Sequence, residues 1–118
     1  MSRIEVYGIP NCDSVRKARK WLDANGRDFV FHDFKKEGVE RDRLESWSDA
    51  VGWQVLLNRR GTTFRKLDES EKSDLTRDAA IDLMLKHTSL IKRPVATRDD
   101  SDVVLVGFTE SEWRNQFC

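Results

Sequence analysis

The chain has 118 residues, enough for one domain that buries its own core without disulfides or metals. Charged residues make up 36%, but 21 Lys and Arg balance 21 Asp and Glu, so no excess charge points to a nucleic acid or a membrane surface. No apolar run reaches bilayer length and the opening MSRIEVYG lacks the pattern of a secretory leader. The expected setting is the cytoplasm, where thiols stay reduced and a prominent cysteine is more often reactive than structural.

In chain order, RIEVYG alternates polar and apolar residues and is rich in strand formers, which predicts a strand over residues 3–7. IPN breaks it. From Asp13 to about Asn25 the apolar residues Val15, Ala18, Trp21 and Leu22 recur at helical spacing, and Asn25-Gly26 closes the helix. RDFVFHDF reads as a second strand, so the first third is a right-handed βαβ unit with parallel strands. The stretches 37–52 and 53–61 read as short helices, TTFRKL as a loop, and residues 70–87 as one longer helix burying Leu75, Ala79, Leu83 and Leu85. No strand signal falls in this block. PVATR and DVVLVGF then form a β-hairpin across Asp99-Asp100-Ser101. Thr109, with Glu112 three residues on, predicts a capping box opening a final helix. No repeat or linker interrupts the order, so residues 1–118 are expected to be one domain with a helical insert over about 38–88.

Two cysteines and two histidines give no metal-ligand spacing, so no metal is expected. The chemistry centres on YGIPNCDSVRKA. A turn that follows a strand in a βα unit lies at the carboxyl edge of the sheet, where α/β folds place their ligand crevice. Cys12 stands there at a helix N-terminus, whose free N–H groups and dipole favour an anion such as a thiolate. Such positions can lower a cysteine pKa from about 8.5 to roughly 3.5–7.5. Arg16, one turn on, adds a fixed positive charge, a spacing suited to a reactive thiol that meets an anionic substrate. Cys12 as a small packed residue and Arg16 as a solvated helix charge are the structural alternatives. The second marker is LIKRPV: Arg93 is a cation at the mouth of a strand, and Pro94 precedes that strand. A Pro at a strand start is ordinary and trans is the base expectation for its bond, but in a thioredoxin-like layout this is the place of a cis-Pro that faces the reactive cysteine.

Taken together, YGIPNCDSVRKA, LLNRRGTTFRKL, LIKRPV and VLVGF resemble, in order and over nearly the whole chain, the arsenate reductase (ArsC)/Spx family, and most closely its small YffB-type members. The resemblance implies an α/β, thioredoxin-like fold with a mixed four-stranded sheet and an all-helical insertion between strands 2 and 3. It implies a nucleophilic Cys12 assisted by Arg16 and by Arg93 beside a cis-Pro94. Asn11, Pro94 and the middle arginine, Arg59 or Arg60, would contact substrate or glutathione; for that pair the alternative is a solvated loop charge. Arsenate reductases of this family carry a His shortly before the Cys, where this chain has Gly8, and a further Arg in the terminal hairpin, where VLVGF has none. Spx-type regulators usually show CxxC, whereas Val15 stands three residues after Cys12, which excludes a disulfide switch there. The expected activity is that of a glutathione-dependent thiol reductase using one cysteine, with no bound cofactor, glutathione as cosubstrate, and glutaredoxin as a further candidate partner. An arsenate reductase and a non-enzymatic, RNA-polymerase-binding regulator of the Spx kind are the alternatives. Cys118, the other cysteine, is not expected to resolve the adduct, because chain ends usually fray and the adjacent carboxylate disfavours its thiolate.

Overall fold

A computed structural model describes residues 3–118, and the chain runs β1 (Ile4–Gly8), α1 (Asp13–Ala24), β2 (Phe29–Asp33), α2 (Phe34–Glu37), α3 (Arg41–Val51), α4 (Trp53–Leu56), α5 (Thr62–Arg65), α6 (Glu69–Lys72), α7 (Arg77–Lys86), a 3-10 turn (Thr88–Leu90), β3 (Val95–Arg98), β4 (Val104–Val106) and α8 (Glu110–Phe117). Two compact units divide it: one takes the chain up to Glu37 together with Arg93–Cys118, the other Gly38–Lys92.

The first unit holds the sheet, in the order β2-β1-β3-β4. β1 pairs parallel with β2 and antiparallel with β3, and β3 pairs antiparallel with β4. This is the mixed four-stranded sheet, with helices inserted between its second and third strands, that the resemblance implies. The period of two along β1 sends Ile4 and Val6 to one face, where they join Ala96 and Leu105 against Ala18, Trp21 and Leu22 of α1 and Trp113 and Phe117 of α8. Trp113 anchors that core: it is fully buried, meets Trp21 and Phe117 edge-on at 6.4 and 5.3 Å, and donates its indole N–H to Gly107 O at 3.1 Å. An edge-on approach sets the positive rim of one ring against the negative face of the next. Tyr7 takes the opposite face of β1 and stacks on His32 of β2 at 4.5 Å.

α1 ends as the sequence predicts. Gly26 adopts φ +66, a region that costs little only without a Cβ, and Arg27 N–H bonds back to Leu22 O at 2.9 Å. At α8 the expected capping box is absent: Thr109 precedes the helix, but its side chain accepts no cap bond. The helix is held instead by burial of Trp113 and Phe117.

The second unit is helical apart from one antiparallel bridge between Leu57 and Ile91. Three expectations about the helices are corrected. Phe34–Glu37 leaves the sheet as a helical turn, and TTFR forms another where a loop was expected. The expected long helix is two: α6 stops at Lys72, Asp74 turns at φ +53, and Thr76 restarts the chain by accepting Ala79 N–H at 3.2 Å. That restart sets the phase of α7, which buries Ala80, Ile81, Leu83 and Met84; of the expected face only Leu83 is buried. Arg41 of α3 reaches Asp82 of α7 at 2.5 Å, and Arg77 reaches Asp49 at 3.0 Å. These are exposed pairs, worth about 0–1 kcal/mol each, so burial of Leu44, Trp47, Leu56 and Ile81 contributes more. Among the described residues no helix is long and apolar enough to cross a membrane.

Candidate functional site

Between the end of β1 at Gly8 and the start of α1 at Asp13, Ile9-Pro10-Asn11 carry the chain over the sheet edge to Cys12. Cys12 is extended (φ −145, ψ 126) and is the residue immediately before the helix. Its carbonyl accepts Arg16 N–H at 2.9 Å, while its side chain makes no capping bond. The partly buried thiol is thereby left at the N-terminal end of a 12-residue helix and available for chemistry. The helix end favours negative charge there.

Arg16 does lie one turn along, but its guanidinium is engaged. Nη1 donates to Asp13 Oδ1 at 2.9 Å and Nη2 to Asn11 Oδ1 at 2.5 Å. Asn11 is thus the side chain that orients Arg16, and Asp13 its counter-ion. Position alone signalled neither role, although the i,i+3 spacing of Asp13 and Arg16 is legible in CDSVR.

The sheet brings the second marker to the same edge. The register pairs Tyr7 with Val95, so Gly8 and Pro94 follow side by side. The Arg93–Pro94 bond is cis, as the resemblance implies. Arg93 is half-buried, and its Cβ lies 3.8 Å from where a Cβ on Gly8 would stand. Gly107, at φ +81, donates its N–H to Pro94 O at 2.8 Å, which ties the end of β4 to this edge. Asn11, Cys12, Arg16, Arg93 and Pro94 therefore all belong to the sheet-bearing unit and cluster at the carboxyl end of β1.

Gly8 has a packing reason of its own. A Cβ there would stand 2.8 Å from Val15 Cγ2, closer than real Cβ contacts come. Val15 is fully buried. The residue that replaces the second cysteine of a CxxC thus fills the space that any side chain at position 8 would need.

Arg59 and Arg60 lie in the helical unit, where they line a cavity of about 330 Å³ together with Asn58, Val55 and Lys92. Arg59 lies over the Trp53 ring at 5.8 Å, a cation–π contact. Arg60 bonds Asn58 Oδ1 through its backbone N–H at 3.2 Å, and among the described residues its guanidinium has no ion-pair partner. Lys92 is a cation that the motif reading passed over, although it adjoins Arg93 in KRP.

The ArsC family model matches residues 7–116. The chain belongs to the ArsC family. Among curated relatives of this ArsC chain, an uncharacterised protein of Haemophilus influenzae is 40% identical over 115 residues, covering 98% of this chain and 99% of that one. A global transcriptional regulator Spx of Streptococcus pyogenes is 35% identical over 113 residues, 94% of this chain and 82% of the relative. Of solved structures, a YFFB protein superposes with a TM-score of 0.93 at 45% identity, covering 98% and 99% of the two chains. An arsenate reductase (ArsC) related protein from Brucella melitensis gives a TM-score of 0.76 at 44% identity, covering 96% and 92%. The fold is thioredoxin-like.

Away from this edge, His32 bridges Glu5 and Glu37, with 3.0 Å from Nε2 and Nδ1 respectively. The bond from His32 holds Glu37 below the usual carboxylate range. Asp100 is likewise held down by its bond from Arg98. No group of three or more His, Cys, Asp or Glu among the described residues could hold a metal ion.

Proposed function

We infer that the chain is a thiol oxidoreductase that works through one cysteine, Cys12, with glutathione as its cosubstrate. The observation that carries this is the placement of a partly buried thiol, free of any capping bond, at the N-terminus of α1 on the sheet edge that also bears Arg16 and Arg93. The family supplies the redox context.

In the proposed cycle the Cys12 thiolate attacks the glutathionyl sulfur of a mixed disulfide R–S–S–G. The S–S bond breaks, R–S⁻ leaves and takes up a proton, and Cys12 is left joined to glutathione. A second glutathione thiolate attacks that sulfur, releasing Cys12 and glutathione disulfide, so the two electrons come from the thiols themselves and no second protein cysteine is needed. Glutathione carries two carboxylates. Arg16, set by Asn11, and Arg93 at the strand mouth are the cations proposed to hold them, and Arg60, whose charge is the less engaged of its pair, is the middle arginine to test.

Arsenate reduction is the second enzymatic reading, favoured by the relatives of that name. Gly8 and a VLVGF segment without arginine remove two of the groups it would use. The likeness to Spx favours a third, partner binding without catalysis, in which Cys12 would be dispensable. An NMR titration with glutathione separates them. Glutathione-dependent shifts at residues 11–16 and 93–95, reduced in Cys12→Ala, are expected; no shift in this region would remove the glutathione assignment.

A further inference from the structure

The N-terminal turn of α1 holds one charged group that the proposed cycle does not use. Asp13 is 88% exposed and binds Arg16 Nη1 at 2.9 Å, while the neutral amide of Asn11 holds Nη2. The two partners differ in consequence. Asn11 fixes the direction of the guanidinium and leaves its charge intact. Asp13 takes the same donor that an incoming carboxylate would need and cancels the charge that would attract it.

Resting on the reading of Cys12 as the reactive thiol, we propose that Asp13 is a specificity-determining residue: its carboxylate occupies Arg16 in place of a substrate anion and sets how strongly the site discriminates against anionic reactants. An exposed ion pair three residues apart on a helix is weak. A ligand whose other parts are already bound can therefore displace Asp13, whereas a small free oxyanion gains little by doing so. The site thus selects reactants that carry a carboxylate on a larger body over small inorganic anions. Gly8, which leaves no cationic side chain at the end of β1, works in the same direction.

The test uses two alkylating reagents that differ in charge. Iodoacetate and iodoacetamide both form the Cys12 S–C bond and expel iodide, but only iodoacetate carries a carboxylate. In a Cys118→Ser background the ratio of the two rates measures charge preference at Cys12 alone. Asp13→Asn is expected to raise the iodoacetate-to-iodoacetamide ratio by about five- to ten-fold at low salt, because it releases a charge-assisted donor. A plain loss of negative charge, acting through water over about 7 Å, would give only about three-fold. In an Arg16→Gln background the Asp13→Asn gain should therefore fall to about three-fold or less. An equal gain in both backgrounds, or no gain in either, overturns the proposal while leaving the thiol reading standing. A Cys12 that neither reagent modifies overturns both.

Discussion

Replacing Gly8 by alanine adds one methyl group at a point 2.8 Å from Val15 Cγ2. Ordinary carbon contact is about 3.5–4.0 Å, so something must move by roughly 1 Å. Val15 cannot yield easily: it is fully buried, its side chain is short, and a β-branched residue in a helix has one strongly preferred rotamer. The backbone of α1 must shift, or Val15 must leave its rotamer, and overpacking of this kind costs about 1–3 kcal/mol. For a chain of this size that is a fall in melting temperature of about 4 °C per kcal/mol. Val15→Ala alone removes two methyl groups from a closed space, at about 2 kcal/mol. In the double variant the methyl introduced at position 8 fills part of the space vacated by Val15. Its loss should be smaller than the sum of the single losses by about 1–2 kcal/mol, a coupling that urea titration of the four proteins measures. Additive losses, or a Gly8→Ala variant within about 0.5 kcal/mol of the parent, would show that the two positions do not compete for space.

Glutathione affinity should fall about three- to ten-fold in Arg16→Ala and about ten-fold in Arg93→Ala, the smaller loss reflecting the greater exposure of Arg16; calorimetric titration of the folded variants measures both, and parental affinity in the two would place the site elsewhere. Cys118→Ser should keep thiol-transfer activity with glutathione while Cys12→Ser abolishes it, and mass spectrometry after mild oxidation should find Cys12 joined to glutathione; a dominant Cys12–Cys118 bridge would refute the one-cysteine cycle. Glu37 and Asp100 titrate below the usual carboxylate range in the folded state, so their contribution to stability is complete above that range and is lost as pH falls through their folded values. Urea midpoints against pH should therefore decline on the acid side with a shallower slope in Glu37→Gln, an unchanged slope telling against the His32 bond.

Local pattern made the sheet-bearing unit legible. The alternation in RIEVYG, the helical spacing from Val15 to Leu22 and the hairpin signal around Asp99 are each local to one element, so period alone places them. The helical unit was less legible because its breaks are made by single residues. Asp74 at positive φ and Thr76 as a cap divide what reads as one helix, and the apolar pattern runs through both pieces. Thr109 carries the capping signature but forms no side-chain cap; Asp68 carries it too, and there Glu71 does accept Asp68 N–H at 3.2 Å at the start of α6. Position and motif name Cys12, Arg16 and Arg93 as candidates, and the turn after β1 and the sheet register bring them to one end of that strand. The contact of position 8 with Val15 joins a strand end to a helix, so no local period could reveal it. The engagement of Arg16 by Asn11 and Asp13 depends on rotamers that spacing allows but does not require.

The two cysteines are also kept apart by the order of the sheet, which bears on where the resolving thiol comes from. Cys12 follows Gly8, the last residue of β1. Cys118 follows Phe117, whose ring is buried in the core, and its backbone N–H is held by Arg114 O at 3.1 Å. Gln116 O accepts a bond from Arg98, and Arg98 pairs with Ile4, the first residue of β1. The C-terminal turn is thus tied to one end of β1 and Cys12 to the other, a separation along the strand of about 13 Å at about 3.3 Å per residue. A disulfide requires Cα atoms within about 7 Å. Bringing Cys118 to Cys12 would mean withdrawing the last turn of α8 and with it the Phe117 ring, which meets Trp113 at 5.3 Å. The i+3 position that a CxxC protein uses is closed as well, since Val15 fills the space beside Gly8. Both internal routes cost core packing, whereas a thiol arriving from solution costs none, and that asymmetry is the physical argument for a small soluble thiol as the resolving partner.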